Sequence, residues 1–318
     1  TKPRACNYAL PLCRGEFVVI FDAEDRPEAD QLREAVRAFR ANDFTREHLD
    51  RTAKPLHVVQ AGLSYFNADY NVLTRMFANE YAFWFDGMLP GLDELGIPIP
   101  LGGTSNHFRI EPLRELDGWD PYNVTEDADL GIRVATHGGK VGVIHSTTWE
   151  EACADAGAWI RQRTRWIKGY MVTAAVNSRH PFAWVRRHGL GAAVTLFALI
   201  LSTPLAFLAY PLILAFTVIT YVGVSMQALN MPEWIFQVGL INMLAGNVIM
   251  IVATAIAAWR RYGWRIAVFA PLNPISWLMH SFAAWRAAWQ MYFEPHRWEK
   301  TPHGISEDYE SELVTLPR

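Results

Sequence analysis

Glu16-Phe-Val-Val-Ile-Phe-Asp-Ala-Glu-Asp25 is the stretch on which the fold turns. A short run of β-branched and aromatic residues, Phe17–Phe21, has the length and composition of a buried strand, and it ends in three acids, Asp22, Glu24 and Asp25. Carboxylates crowded at a strand end repel one another unless a cation or a partner neutralises them. Magnesium or manganese suits such a place, because these ions bind oxygen ligands and usually combine one or two carboxylates with substrate phosphates. The plainer alternative is a solvated turn in which Asp25 caps the following helix.

Downstream, Pro27 is suited to a first helical turn, where its missing N–H costs nothing. Leu32, Ala35, Val36 and Phe39 follow at helical spacing, which predicts an amphipathic helix over 27–40. Leu56–Gln60 and Lys140–His145 read as further strands. Thr125 is placed to cap a helix from Glu126 to about His137, closed by Gly138 and Gly139. A longer helix is expected from about Trp149 to Asn177. Strands alternating with helices indicate an α/β domain with its active residues at strand ends.

The composition then changes. Leu190–Met226 carries no charged residue, and Trp234–Trp259 is a second stretch of membrane-spanning length. Val268–Tyr292 is a third candidate, made more interfacial by His280, Arg286 and its Trp and Tyr residues. Arg186–Arg187 and Arg260–Arg261 fall on one side by the positive-inside rule, so an even number of crossings is expected between them. Hence the organisation 1–187 as an α/β domain, 188–292 as transmembrane and interfacial helices, and 293–318 as a tail. A net charge of −3 over 318 residues gives no basic footprint for nucleic acid. Cys6, Cys13 and Cys153 form neither a disulfide framework nor a zinc pattern, and are read as small apolar fillers.

Two more constellations carry chemistry. In Val124-Thr-Glu-Asp-Ala-Asp129 the acids stand at a helix N-terminus, where the helix dipole favours negative charge; simple capping is the plain reading. In Gln162-Arg-Thr-Arg-Trp166, residues Gln162, Arg165 and Trp166 share one helix face at i, i+3 and i+4. An amide, a guanidinium and an indole suit a diphosphate and the flat face of a sugar ring, while a basic helix lying on a membrane is the bland alternative.

In this order, followed by membrane helices, these motifs resemble those of processive family-2 glycosyltransferases of the cellulose-synthase, hyaluronan-synthase and mannan-synthase type. Lys2 with Asn7, Ala9 and Leu10, Gly118–Trp119, and Trp298–Gly304 add to the likeness. The resemblance implies a GT-A-type, Rossmann-like domain, lacking its amino-terminal strands because the chain starts at Thr1, followed by transmembrane helices. It implies a metal and diphosphate site at Asp22 and Glu24, with Asp25 as a further ligand and Glu24 standing where the family has Asp. It implies Asp127, beside Glu126, as general base, and Gln162, Arg165 and Trp166 as the grip on diphosphate and glycan, with Lys2 and Asn7 in the substrate-binding set. Gly102–His107 takes the place of the loop near the acceptor. The implied cofactor is Mg2+ or Mn2+, and the implied partners are a UDP-linked sugar, a glycan acceptor, the lipid bilayer and polysaccharide-export subunits. The location implied is a bacterial inner membrane, with the catalytic domain in the cytoplasm. The competing readings are a single-addition transferase acting on a lipid acceptor, a transporter, and a non-catalytic scaffold. A transporter predicts ionisable residues within the spans, and 190–226 has none.

Overall fold

The computed structural model describes residues 1–226, 232–294, 297 and 299. Trp298–Gly304, apart from Glu299, lies outside the described residues. The core is a mixed sheet of five strands, β1 (Phe17–Ile20), β2 (Arg26–Pro27), β3 (Leu56–Tyr65), β4 (Asn106–Arg109) and β5 (Lys140–Glu150), in the order β1-β4-β3-β5-β2. Only β3 and β5 run parallel; every other neighbour is antiparallel.

Side chains alternate across the sheet, so each face has its own cover. Val59 and Ala61 of β3 and Ile144 of β5 pack against Ala35 and Phe39 of α2 (Gln31–Phe44). Val58 and Phe108 meet α4 (Leu89–Glu94), α5 (Ile110–Glu115) and α6 (Glu126–Thr136) through Leu89, Leu92, Leu113 and Leu130. Burying one such Leu or Phe contributes about 1.5–3 kcal/mol, so these two layers hold the domain.

Several expectations are corrected. The strand at Phe17–Ile20 exists, but it is a half-buried edge strand, because β4 is its only neighbour. Pro27 lies in β2, bridged to Thr148, and α2 starts at Gln31 with Asp30 at its cap. Within α2 the buried stripe is Gln31, Ala35 and Phe39, while Leu32 and Val36 of the predicted stripe are exposed. Trp149 belongs to β5 rather than to a helix; a bulge between the Ala61–Ile144 and Gly62–Thr147 pairs carries the strand on to Glu150. Helix α7 (Ala156–Asn177) begins where the Asp155 carboxylate accepts the Ala158 N–H at 2.7 Å.

Beyond α7 the chain forms α8 (Pro181–Ala193), a wide π turn over Val194–Leu201, and α9 (Ser202–Ser225), so the long uncharged run is one helical element. It kinks at Gly189, whose φ of 84° a residue with a Cβ rarely adopts. Together Pro181–Ser225 and the next helix, α10 (Glu233–Tyr262), are long and apolar enough to cross a membrane. A short α11 (Trp264–Ala267) leads to α12 (Asn273–Phe293).

These helices are attached to the sheet by specific contacts. Leu196 and Ile200 of the π turn are fully buried against Ala128 and Ile132 of α6. Arg261, at the end of α10, pairs with Asp86 and donates to Thr147 Oγ1 at 3.1 Å. The neighbouring Tyr262 hydroxyl meets Ser64 Oγ at 2.5 Å and accepts the Tyr65 N–H at 2.8 Å. Ala283, Ala284 and Ala287 of α12, all fully buried, let that helix lie close on Ile167 of α7.

Helix α6 fits only because Gly131 lacks a side chain: a Cβ there would come within 2.5 Å of the Ile99 carbonyl oxygen. Gly131→Ala gains helix propensity of about 1 kcal/mol but forces backbone apart, an overpacking cost of about 1–3 kcal/mol. The clash is with main chain, so a net fall in the thermal midpoint of the purified protein is expected; an unchanged or raised midpoint would show that the segment yields.

Candidate active site

Three segments meet at one end of the sheet: the loop after β1, the loop before β4 and the start of α6. Lys2, on α1 (Lys2–Ala9), joins them. Its ammonium pairs with Asp22 and donates to the Gly103 carbonyl at 2.7 Å. A Cβ on Gly103 would lie 3.3 Å from Asp127 Oδ2, so this glycine passes directly over the Asp127 carboxylate. Thr104 donates to the Asp25 carboxylate, which also accepts the Asp22 N–H at 2.7 Å. The loop thus forms the floor between the acid cluster and Asp127.

The charges respond to one another. Glu126 is pushed up to about 7, first by burial and then by the Asp127 charge. Asp127 is raised as well; burial dominates, against the Ala128 N–H bond at 2.7 Å and the cations Lys2 and Arg165. Burial lowers the Arg165 guanidinium, and Glu126, Asp127 and Asp22 support its charge. Glu126, Asp127, Asp22, Lys2 and Arg165 therefore share one electrostatic environment.

Helix α7 brings Arg165 there. Gln162, Arg165 and Trp166 share a half-buried face, while Arg163, Thr164, Ile167 and Lys168 are buried behind it. Gln162 Oε1 is shut off from solvent with no hydrogen-bond partner among the described residues. Trp166 leans on Tyr81 and Phe77, with ring centroids 6.5 and 6.3 Å apart. The approach of α7 to α6 requires Gly169, since a Cβ there would fall 2.3 Å from Thr125 Oγ1. Thr125 itself makes no side-chain capping bond to α6, and this contact with α7 is its distinguishing feature.

Other residues of the expected set have different surroundings. Asn7 commits its amide to the main chain, donating to Trp119 O at 2.6 Å and accepting the Trp119 N–H at 2.9 Å. It secures the segment leading into Thr125–Asp127 rather than pointing into the cleft. Asp25 caps no helix and shapes its own loop. Glu150, at the end of β5, escaped the sequence reading; it is raised well above the carboxylate range by burial and by Asp25, Asp22 and Glu24, and its Oε1 has no partner among the described residues. A single acid closing a strand gives no signal in sequence. Glu24 lies close enough to act on Glu150.

A divalent cation fits this donor set in part. Every candidate ligand is a carboxylate oxygen, as hard cations require, and Asp25 Oδ1 is buried without a hydrogen-bond partner among the described residues. Among the described residues no three acids, His or Cys are gathered to hold an ion alone. Asp22 and Asp25 are the acids placed to contribute oxygen ligands to such an ion.

A family model described as Glycosyl transferase family group 2 matches residues 17–229. The chain belongs to glycosyl transferase family group 2. Its mixed sheet and flanking helices make the α/β domain expected from the sequence, and a transferase is the enzyme class of this family. A protein named probable glucomannan 4-beta-mannosyltransferase 14, from Arabidopsis thaliana, is 33% identical over 157 residues, which is 48% of this chain and 27% of that protein. The chain thus spans about a quarter of the length of that curated relative. Among solved structures, the mannosyltransferase PcManGT from Pyrobaculum calidifontis, in complex with GDP-Man and Mn2+, is similar over 92% of this chain and 67% of that one, with 18% identity and a TM-score of 0.49.

In this chain the half-buried Glu126 sets a pH signature. Folded Glu126 keeps its proton to about 7, whereas the unfolded chain loses it near 4.5. The native state binds more protons in that window, so stability falls as pH rises through it. Glu126→Gln removes this contribution. The thermal midpoint of the variant is expected to change less than that of the parent between pH 4.5 and about 7; parallel profiles would contradict the assignment.

Proposed function

We propose that this chain carries the cleft of an inverting hexosyltransferase that moves a sugar from a nucleotide sugar to the end of a β-linked polysaccharide beside a membrane. The observation that carries the reading is that Arg165 lies within electrostatic reach of both Asp22 and Asp127, with Trp166 on the same face of α7 as Arg165.

The chemistry follows from the groups. An acceptor hydroxyl is a weak nucleophile, and Asp127 takes its proton as the new glycosidic bond forms. Burial raises this carboxyl toward the range in which a base is effective at neutral pH. The bond to the departing diphosphate breaks with its electron pair on the phosphate oxygen, and Arg165 faces the charge that develops there. A single in-line displacement inverts the anomeric carbon and needs no protein nucleophile. A magnesium or manganese ion held by Asp22 and Asp25, with Glu24 nearby, would supply further positive charge at the diphosphate. Lys2 holds Asp22 and the Gly103 loop in register with Asp127. Gln162 and Trp166 offer an amide acceptor and an aromatic platform to the acceptor sugars.

The curated relative is named for mannosyl transfer and for glucomannan, which favours a mannosyl donor over the UDP-linked sugar expected from the sequence. Passage of the product through the membrane is supported by the packing of the π turn at the head of the first apolar helix directly on α6. Export subunits would then receive the glycan on the far side.

Two measurements test this. The full-length protein, offered GDP-mannose and UDP-sugars with an oligosaccharide acceptor, is expected to lengthen the oligosaccharide. Single addition to a lipid would instead select the lipid-acceptor reading, and no transfer from any donor would remove the enzyme reading. Asp127→Asn is expected to lower transfer by at least about 10²-fold, as loss of a general base does, while nucleotide-sugar binding by calorimetry persists. Unchanged turnover would refute the role of Asp127.

A further inference from the structure

Within Gln162–Trp166 the residue after Gln162 has no part in the function proposed above. Arg163 is turned away from the cleft and is only 6% exposed. Both terminal nitrogens of its guanidinium bind Glu80 of α3 (Val72–Phe83), Nη1 to Oε1 at 2.8 Å and Nη2 to Oε2 at 2.9 Å. The plane of that fork meets three rings: its central carbon lies 4.3 Å from the Phe77 centroid, 4.5 Å from Trp166 and 5.2 Å from Trp159. Of the three rings, Phe77 and Trp159 are almost fully buried, and Trp166 is the one on the cleft face.

A third helix completes the arrangement. His280 of α12 places Nε2 3.7 Å from Glu80 Oε2, and its Nδ1 is 2.8 Å from the Ser276 carbonyl. Its ring stands edge-on to Trp159 at 4.7 Å and stacks on Phe207 of α9 at 4.6 Å. Against burial, which would raise it, the Arg163 guanidinium and the His280 ring beside it hold the Glu80 carboxyl down to about 2.

We propose that Arg163, clamped by Glu80 and backed by His280, is a positioning residue that fixes the plane of the Trp166 ring at the acceptor side of the cleft. A pair kept for stability alone needs only complementary charge. Here a flat fork is required, because one face must lie against aromatic rings while both ends engage a carboxylate, a combination open to arginine and closed to lysine. Tyr81 is a further neighbour of Trp166, with ring centroids 6.5 Å apart and 27° between ring planes. The same clamp joins α3, α7, α9 and α12, so a shift of α12 or α9 is felt at Trp166. That Trp166 meets a glycan rests on the function proposed above; the positioning does not.

The test uses the full-length protein carrying fluorotryptophan, with the Trp166 fluorine line identified by its loss in Trp166→Phe and the Trp184 line as a distant control. Glu80→Gln, which keeps the shape, and Arg163→Lys, which keeps the charge, are expected to shift or broaden the Trp166 line and leave Trp184 unmoved. In transfer assays with a mannan oligosaccharide, both should raise the acceptor KM about tenfold, with donor KM within about twofold. A Trp166 line identical to the parent in both variants overturns the proposal, as does a common rise of donor and acceptor KM. If the parent transfers no sugar at all, the function fails, and the fluorine lines still decide the positioning. Dispersed lines from the remaining tryptophans report that each variant is folded.

Discussion

The structure depends on keeping several like charges together at one end of the sheet. Asp22 and the Glu126–Asp127 pair come from segments more than a hundred residues apart in sequence, and burial makes the charges of Glu126 and Asp127 costly. Lys2 and Arg165 are the cations that oppose them, and each reaches the cleft from a different helix. Such a site leaves its acids incompletely opposed, and perturbed carboxylates of this kind cluster at functional sites. The exposed i,i+3 pairs on the outer helices, such as Arg33 with Asp30, contribute at most about 1 kcal/mol each. The Arg163–Glu80 pair is of another kind, since the guanidinium is buried and both of its terminal nitrogens engage the carboxylate.

Close approach of helices brings the charges together, and missing side chains permit it. Gly169 lets α7 rest on Thr125, Gly131 lets α6 rest on the Ile99 main chain, and Gly103 passes over Asp127. The apolar helices are joined to the same parts. The π turn packs on α6, and α12 packs on α7 through three alanines. Hence the two helices that bear most of the cleft are also those touched by the helices from the apolar region. Arg261, through Asp86 and Thr147, and the Tyr262 hydroxyl, through Ser64, fix the end of α10 to β3 and β5.

Much of this was legible in the sequence, and the reasons are physical. The acid cluster, the Thr125–Asp127 motif and the Gln162–Trp166 face were readable because each is local: a strand end, a helix start, a helix face. The long apolar runs were readable because composition alone marks them. Strand lengths were misjudged where a bulge carries β5 past His145 to Glu150, since a bulge interrupts the alternation that marks a strand. The start of α2 was misplaced because Pro27 suits a strand edge as well as a first helical turn. Asn7 looked like a substrate residue and serves the Trp119 main chain instead, a pairing between residues far apart that no local pattern reveals. Thr104, Glu150, Glu80 and His280 were unreadable for the same reason: their partners are brought near only by the folded chain.

The account is tested most directly by a structure of the full-length protein with a nucleotide sugar and manganese. It predicts the diphosphate between Asp22 and Arg165, with the sugar's anomeric carbon facing Asp127. A nucleotide bound away from these three residues would contradict it.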